Sequence, residues 1–375
     1  MWKFILAIIA VALAVLVVSK VALAPNTADL PSIDLTEVVT DDGKLNLLTL
    51  PDGVTYLMDV DLDFAIEKSL TPYRQELRGF LRGKNARYLG VRNDAGKILI
   101  RFKSTESRDL AGELLKKQYI DQLVIEKQDA DKWASLQIRL TEAKTNDLKT
   151  RVFQKNIAVL SERAAELGIH HSTIKKAGDN KIFVHLPKVK DIEQTKNIMT
   201  KSATFDFRFV DETASAYEAK SSGIIPRGSQ LYQEKTGEPV LLKRSPMLSG
   251  EYIEAASAGL DYNDMPSISI QLDDEGVDIF SELTRVNVGK LLAVVYVEYK
   301  TNIQTLEDGN SKKKLIVVEK VITIARIQEE LGKRFEITGL ESKKEAYDIA
   351  LLLRAGTLAA PVYIIEEQVI SAKAK

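Results

Sequence analysis

Apolar and polar positions follow two periods after residue 53, and the order of these periods predicts a folded unit. Apolar residues alternate from Val54 to Val60, which predicts a strand, and those from Ile66 to Phe80 recur at the 4-3-4-3 spacing of an amphipathic helix. Further strand and helix patterns follow at residues 86–92, 98–102, 110–115 and 123–126. The order is βαββαβ, and we predict a ferredoxin-like unit over residues 54–127.

The same order of patterns recurs about 80 residues later. It begins with alternation over residues 136–140, continues with a helical pattern over 153–167, and ends with alternation over 205–209. A repeat of this kind indicates a duplicated fold unit. We therefore predict a second ferredoxin-like unit, which serves as a base, over residues 128–212.

An α+β pattern resumes beyond a connection rich in Ser, Gly, Lys and Pro, and we predict that it forms a separate head subdomain over residues 213–358. Its last helix is expected to begin with a capping box formed by Ser342 and Glu345. A final strand is predicted at Pro361–Glu367.

The N-terminal segment is almost entirely apolar. A helix from Phe4 to Ala24 would have 21 residues and a length of about 31 Å, close to the roughly 30 Å of a hydrocarbon core. The residues Ala22-Leu23-Ala24 also resemble a signal-peptidase site, but Pro25 would then be the first mature residue, which fits a protease's extended binding mode poorly. An uncleaved anchor is favoured over a cleaved signal. Both alternatives place the bulk of the chain outside the cytoplasm.

The predicted fold class is thus α+β, with an N-terminal transmembrane helix, two ferredoxin-like (βαββαβ) units and an α+β head. The predicted boundaries are 1–24 for the anchor, 25–53 for a linker, 54–127 for the first unit, 128–212 for the second unit with a returning strand at 359–368, 213–358 for the head and 369–375 for a tail.

Composition narrows the functional class. The chain has 52 Lys and Arg against 53 Asp and Glu, and this net charge of −1 does not favour a general nucleic-acid-binding protein. It has no cysteine, which excludes disulfides, thiolate metal sites and a cysteine nucleophile, and only three histidines. The G-x-S-x-G motif is absent as well. We therefore predict no cofactor, no metal and no enzymatic activity.

Five sequence features could indicate a binding or catalytic site, but a structural role explains each of them better. Gly90–Lys97 has the wrong spacing for a phosphate-binding loop and predicts a β-turn. His170-His171 predicts a solvated turn, and His185 a packed strand residue. The acidic residues Asp273–Glu275 precede a helix, where carboxylates complement the dipole. Lys312–Lys314 predicts a solvated hairpin end.

Several segments resemble signatures of SecD, the membrane subunit family of the bacterial Sec protein-export system. The most specific resemblance lies in Leu351–Pro361, which Ile365-Glu366-Glu367 follows. Further matching segments are Asn156–Gly168, Gly178–Pro187, Ala203–Val210, Asn287–Lys290 and Ile324–Gln328. They occur in the family's order and cover most of residues 45–370.

The resemblance implies an N-terminal transmembrane helix followed by a first periplasmic domain with a ferredoxin-like base and a mobile head. It also implies that the head captures emerging polypeptide and that five further transmembrane helices work with SecF. Because the family's chain leads back to the membrane after the head, the resemblance further implies that the strand at Pro361–Glu367 returns from the head to the second base unit. Two departures stand out. The family's glycine-rich element aligns with Leu48–Gly53, where its Asp and first Gly are lost, and the chain ends at Lys375, where a second transmembrane helix is expected. A naturally short chain and a truncated one both remain open.

The resulting functional hypothesis is a SecD-like accessory subunit that binds emerging polypeptide on the periplasmic side, tethered to the inner membrane by one span. Its expected partners are a SecF-like subunit, a SecYEG-type translocon and an unfolded preprotein. The alternatives are a degenerate SecD paralogue that regulates the translocon, or a periplasmic binding protein or hydrolase of another class. Four residues in or near a polar loop are the candidate polypeptide contacts: Ile224, Ile225, Pro226 and Tyr232.

Overall fold

The computed structural model describes residues 50–130, 133–305 and 311–370. The predicted span Phe4–Ala24, the linker up to residue 49 and the end of the predicted tail lie outside these ranges. Among the helices within them, none is long and apolar enough to cross a membrane.

From Pro51 onward the described residues belong to one compact unit. Its helices are α1 (Leu62–Gly83), α2 (Thr105–Gln118), α3 (Glu142–Glu166), α4 (Ile192–Thr200), α5 (Ala216–Ser222), α6 (Asp274–Arg285) and α7 (Lys343–Arg354). Its first eight strands are β1 (Gly53–Val60), β2 (Gly90–Asp94), β3 (Lys97–Phe102), β4 (Leu123–Ala130), β5 (Trp133–Leu140), β6 (Thr173–Ala177), β7 (Lys181–Pro187) and β8 (Ser202–Phe209). The others are β9 (Ser229–Gln233), β10 (Pro239–Lys243), β11 (Leu248–Ser249), β12 (Ile253–Leu260), β13 (Pro266–Leu272), β14 (Leu291–Thr305), β15 (Ser311–Arg326), β16 (Arg334–Ile337) and β17 (Val362–Ile370).

The strand pairing differs from the two contiguous units predicted from the repeat. Strand β1, predicted in the first unit, lies between β17 and β7 in an antiparallel base sheet of order β17-β1-β7-β6. Strand β5, predicted in the second unit, lies between β3 and β4 in an upstream sheet of order β2-β3-β5-β4. The two predicted units have therefore exchanged their first strands, and the prediction of contiguous units is wrong.

Helix α1 gives the physical reason for the exchange. Its 22 residues correspond to a length of about 33 Å. Ala65 near its start packs into the core of the base sheet, whereas Leu70, Leu77 and Leu81 belong to the core of the upstream sheet. The spacing of apolar residues predicts that the helix is amphipathic, but it does not show that its two ends serve different cores.

Strand β8 is a second departure from the predicted organisation. It was predicted to close the second unit, but it lies in a head sheet of order β11-β8-β14-β15. Its Phe205 and Phe207 are buried in the head core together with Phe280. Strand β17 occupies the edge of the base sheet, where it pairs with β1 from Val362 opposite Val60 to Ile370 opposite Gly53.

The head sheet is covered on both faces. One face packs against α6, α7 and a three-stranded sheet of order β12-β13-β16. The other packs against the β9–β10 hairpin, where Tyr232 and Leu242 contact Ala293 and Val295 of β14. Polar side chains on the hairpin side of β8 are therefore removed from solvent and need hydrogen-bond partners.

The capping residues predicted from the sequence lie at the starts of α7 and α6, but the capping box of α7 is only half formed. Ser342 accepts a hydrogen bond from the Glu345 N–H at 3.0 Å, whereas the Glu345 carboxylate accepts from the Glu341 N–H at 2.6 Å, one residue before the position expected in a capping box. Asp273 caps α6 by accepting from the Gly276 N–H at 2.7 Å, and Asp274 and Glu275 lie in the first turn, where carboxylates complement the helix dipole as predicted.

Candidate functional site

The loop between α5 and β9 contains three of the four candidate contacts. It begins at Gly223, whose φ of +71° ends α5 in the left-handed conformation. The next residues, Ile224 and Ile225, are 77% and 42% exposed, and Pro226 is partly buried. Large apolar side chains are thus presented to solvent on an irregular segment.

The fourth candidate, Tyr232, does not belong to this exposed loop. It lies in β9 and is only 9% exposed. Its hydroxyl accepts a hydrogen bond from Arg208 Nη1 at 2.5 Å and donates one to Glu319 Oε2 at 2.7 Å. The Tyr232 hydroxyl thus both accepts and donates a hydrogen bond inside the head. Tyr232 therefore stabilises the β9–β10 hairpin and does not form part of an exposed contact surface.

A charged network surrounds Tyr232 beneath the β9–β10 hairpin. Arg208 donates to Asp206 Oδ2 through Nε and Nη2, at 3.2 and 2.6 Å, and its Nη2 lies 2.8 Å from Glu319 Oε1. Gln230 donates to the second oxygen of Glu319 at 3.0 Å. Burial raises the pKa of Asp206, and the Arg208 guanidinium opposes this shift. Asp206 and Arg208 are two positions apart in β8, so their side chains share the hairpin face of the strand.

Asp211 fixes both ends of the connection from β8 to β9, which includes α5 and the loop with the two isoleucines. Its carboxylate contacts Lys243 Nζ at 2.8 Å and accepts hydrogen bonds from the Ser229 hydroxyl at 2.5 Å and the Thr213 hydroxyl at 2.6 Å. The Lys243 ammonium and these hydroxyls hold the pKa of Asp211 well below its usual range. Both ends of the connection, at residues 213 and 229, are therefore tied to one ionised group.

Replacing Asp211 with asparagine is expected to destabilise the chain by about 2 kcal/mol at pH 7, because a charged acceptor of several hydrogen bonds is lost. Since the folded-state pKa is depressed, the stabilisation is present above the unfolded value near 3.9 and is lost as pH falls further. Denaturation midpoints should therefore show a constant difference between wild type and Asp211→Asn from pH 7 to about 5, which narrows below about pH 4. A difference that does not change with pH would contradict this assignment.

Helix α3 presents polar side chains to the segment that leads from the head back to β17. Asn156 donates to the Ala360 carbonyl at 2.9 Å and accepts from the Ala359 N–H at 2.8 Å. At the end of the same helix, Glu166 binds Arg354, whose guanidinium holds the pKa of the Glu166 carboxyl below its usual range. These contacts clamp the returning segment along one face of α3.

Arg163 is fully buried at the junction between α3, α4 and the segment that returns from the head to β17. Its Nη1 donates to the carbonyls of Ile198, Met199 and Lys201, at 2.8, 3.2 and 2.7 Å, and its Nη2 to the Gly356 carbonyl at 3.4 Å. These four acceptors are all carbonyls, and three of them lie at the end of α4, where the helix dipole is negative. One guanidinium therefore joins α3, α4 and the segment that returns from the head.

A groove of about 650 Å³ opens between α4, the start of β8, β14 and β17. Lys196 of α4 pairs with Glu367 of β17 at 2.6 Å, and Lys300 pairs with Glu298 of β14 at 3.2 Å. Because these four charges are paired with one another, they do not define a specific ligand for the groove.

The predicted β-turn at the supposed phosphate loop is confirmed. Ala95 and Gly96 have φ values of +45° and +73° and link β2 to β3, with Asp94 opposite Lys97. Two consecutive residues with positive φ are typical of a type I′ hairpin turn.

The histidines also take the predicted structural roles. His170 and His171 lie exposed on a turn after Gly168. His185 is buried, with its Nδ1 at 3.3 Å from the Thr55 hydroxyl, and burial lowers its pKa. The described ranges contain no cluster of His, Cys, Asp and Glu that could hold a metal ion. The side chains of Lys312–Lys314 lie outside the described residues.

Sequence reasoning missed a second exposed apolar group, at the tip of the β12–β13 hairpin. Leu260, Tyr262 and Met265 are 42%, 94% and 55% exposed. The turn residues Asp261 to Asp264 indicated only a loop. The signal available was the presence of Tyr and Met within a short polar turn, where neither is needed for the turn itself.

The fold and its junction define a two-part α+β domain, in which a head is inserted before the last strand of a base sheet. Two family profiles match this part of the chain: "SecDF, P1 head subdomain" over residues 229–360, and "Protein translocase subunit SecDF, P1 domain, N-terminal" over residues 153–212. The head profile ends at the segment that returns to β17.

Curated relatives carry the name protein translocase subunit SecD. The Escherichia coli (strain K12) protein is 35% identical over 353 residues, which cover 94% of this chain and 56% of the relative. The Haemophilus influenzae protein is 35% identical over 86% of this chain and 52% of the relative. A solved structure described as a membrane component SecDF that enhances protein export is 26% identical, covers 59% of this chain and 94% of its own, and has a TM-score of 0.44.

The chain belongs to the SecD family through its P1 region, and the resemblance predicted from the sequence is confirmed there. It spans a little over half the length of the Escherichia coli relative, 56%.

Proposed function

We propose that this chain takes part in Sec-dependent protein export as a membrane-tethered module that binds emerging polypeptide, and that it performs no catalytic step. Membership of the SecD family supports the export role. The exposure of Ile224 and Ile225 on an anchored loop is the observation that carries the assignment of the contact site.

The chemistry of the loop suits a partner of variable sequence. A protein that binds many unfolded segments needs shallow apolar contacts rather than a precise hydrogen-bonding pocket. Ile224 and Ile225 provide such contacts next to Pro226, while Asp211 holds the ends of the connection in place. Tyr232 contributes from beneath, by anchoring β9 to the head sheet.

The proposal includes the location and the partners expected from the sequence. The segment Phe4–Ala24 tethers the chain to the inner membrane, with the remainder in the periplasm. A SecF-like subunit and a SecYEG-type translocon are the partners, and an unfolded preprotein is the substrate. The names of the relatives, as subunits of the protein translocase, support this assignment.

Site-specific crosslinking from the loop to a stalled secretory chain tests the proposal. A photoreactive residue at position 224 or 225 is expected to label the stalled chain, because both side chains are exposed to solvent. The matched control is position 120, where another isoleucine is 74% exposed, next to the 77% of Ile224. Ile120 follows α2, outside the head.

Comparing positions 224 and 120 separates specific binding at the loop from nonspecific association with exposed apolar residues. Labelling from position 224 that clearly exceeds labelling from position 120 supports the proposal. Equal labelling at both positions would overturn the assignment of this loop as the polypeptide contact.

A further inference from the structure

Strand β12 forms one edge of the three-stranded sheet in the head. It pairs with β13 on one side, from Ala255 opposite Gln271 to Leu260 opposite Pro266. On its other side the Ala256 carbonyl accepts a hydrogen bond from Arg354 of α7 at 2.8 Å. Beyond Ala256, the outer side of β12 has no paired strand within the described residues.

The direction of the backbone groups at this edge follows from two observations. Pro266 has no N–H, so Leu260 and Pro266 cannot exchange the two hydrogen bonds of a bonded antiparallel pair. The Asp261 N–H, one residue on, donates to the Met265 carbonyl at 2.8 Å, on the β13 side. The backbone N–H and C=O groups of successive residues in a strand point alternately to its two sides. Ala256, Ala258 and Leu260 therefore point these groups away from β13. The hydrogen bond from Arg354 to the Ala256 carbonyl agrees with this direction.

The backbone groups of Ala258 and Leu260 on this outer side have no hydrogen-bond partner among the described residues. Ser257 to Leu260 are all exposed. The stretch Ala255–Leu260 contains no charged residue and no proline. Natural edge strands usually carry such residues, because they block the addition of another strand.

Three other edge strands of the described residues carry this protection. Strand β6 has Lys175 and Lys176, and β4 has Glu126 and Lys127. Strand β17 has Glu366 and Glu367, together with a register shift opposite Leu57. The outer half of β12 is therefore an unprotected edge beside an exposed apolar tip.

The charge of the β12–β13 hairpin indicates which type of polypeptide segment would pair with the outer edge of β12. Residues 253–272 contain three acidic side chains and no basic one. Glu254 pairs with Lys333 at 3.6 Å, so Asp261 and Asp264 at the tip supply the negative charge that is available to a partner. Leu260, Tyr262 and Met265 add apolar surface, and the flexible thioether of methionine adapts to different neighbours. An extended segment with basic and apolar side chains complements both features.

We propose that the outer edge of β12, from Ser257 to Leu260, accepts an extended segment of polypeptide as an added strand, with a preference for basic and apolar side chains. This inference rests on the proposed function and gives it a binding mode. Strand addition recognises the main chain, which every polypeptide shares, so it suits a partner of variable sequence.

The first test varies the partner and leaves the full chain unchanged. The probe is a fluorescent twelve-residue peptide of alternating Val and Lys, compared with the same peptide N-methylated at its central amides. We expect N-methylation to weaken binding at least about tenfold, because each lost hydrogen bond contributes a substantial part of a tenfold change in affinity. Replacing Lys with Glu in the probe should also weaken binding, and less so at high salt.

The second test changes the edge itself. Ala258→Pro removes one outward N–H and is compatible with an edge strand, because that N–H does not pair with β13. Ala258→Val is the matched control, since it adds side-chain bulk but retains the N–H. We expect Ala258→Pro to weaken probe binding about tenfold and Ala258→Val to leave it within about twofold, with the denaturation midpoints showing that both fold.

The outcomes distinguish this inference from the proposed function. Equal binding of the N-methylated and unmodified probes would overturn strand addition, and it would leave crosslinking from Ile224 unaffected. A wild-type dimer that Ala258→Pro dissociates, without probe binding, would show that a second copy of the chain occupies the edge. Loss of crosslinking at Ile224 together with no probe binding would overturn both.

Discussion

Replacing Arg163 with methionine is expected to destabilise the chain by about 3–5 kcal/mol, the largest effect of any single substitution considered for the junction. Methionine fills much of the volume but donates no hydrogen bond, so the carbonyls of Ile198, Met199, Lys201 and Gly356 lose their donor. Burial lowers the pKa of Arg163 to about 9, which still leaves the guanidinium charged at pH 7.

The denaturant midpoint of the full chain measures this effect, and hydrogen exchange locates it. Faster exchange is expected at the end of α4 and in the segment that follows Arg354. Arg151→Met on the same helix is the matched control, because Arg151 is exposed and pairs with Asp147 one turn away, so it should cost less than about 0.5 kcal/mol. If Arg163→Met and Arg151→Met proved equally mild, the buried guanidinium would not be what joins the head to the base.

Replacing Arg208 with methionine is expected to cost about 3–5 kcal/mol at pH 7, because it leaves two carboxylates beneath the β9–β10 hairpin without their cation. Asp206, Arg208 and Glu319 have side chains that are 12%, 7% and 17% exposed, so water can replace the guanidinium only in part. The hairpin that carries Tyr232 should loosen from the head sheet, which hydrogen exchange in β9 and β10 would detect.

The cost of Arg208→Met should also depend on pH. Burial already raises the pKa of Asp206, and loss of the guanidinium raises it further. For an acid whose pKa is higher in the folded state, the penalty is complete above the folded value and disappears as pH falls toward the unfolded value near 3.9. The difference between variant and wild type should therefore shrink on acidification.

Strand β2 provides the control for this second substitution. Arg92 and Asp94 are also two residues apart in a strand and lie 3.5 Å apart, but both side chains are more than half exposed. Arg92→Met should change stability by less than about 0.5 kcal/mol. A cost for Arg208→Met as small as that for Arg92→Met would show that the network under the hairpin does not stabilise the head.

The pattern of apolar residues was sufficient to place most helices and strands of the described region, because periodicity reports which face of each element is buried. Capping residues could also be identified from the sequence, since Ser342 and Asp273 accept hydrogen bonds from N–H groups only three residues further on. The exposure of Ile224 and Ile225 also agrees with their position in a polar stretch of the chain.

The buried charged residues that stabilise the interior could not be identified in this way. Arg163 and Gly356 are 193 positions apart, and Arg208 and Glu319 are 111 apart. A local sequence pattern predicts that charged residues are exposed to solvent. A charge is buried only where partners compensate it, and the folded chain brings those partners near from distant positions. The alternation of β8 did place Asp206 and Arg208 on one face, but it did not show that a hairpin covers that face.

The sequence by itself determined the α+β class, the repeat of strand and helix patterns, and membership of the SecD family, because each is recorded in local spacing or in short motifs. Only the tertiary structure decided that β1 and β5 exchange sheets and that β8 belongs to the head, whereas the return of the last strand to the base was already expected. Strand partners depend on which apolar faces pack together over long distances, and every alternating strand satisfies the local pattern equally well.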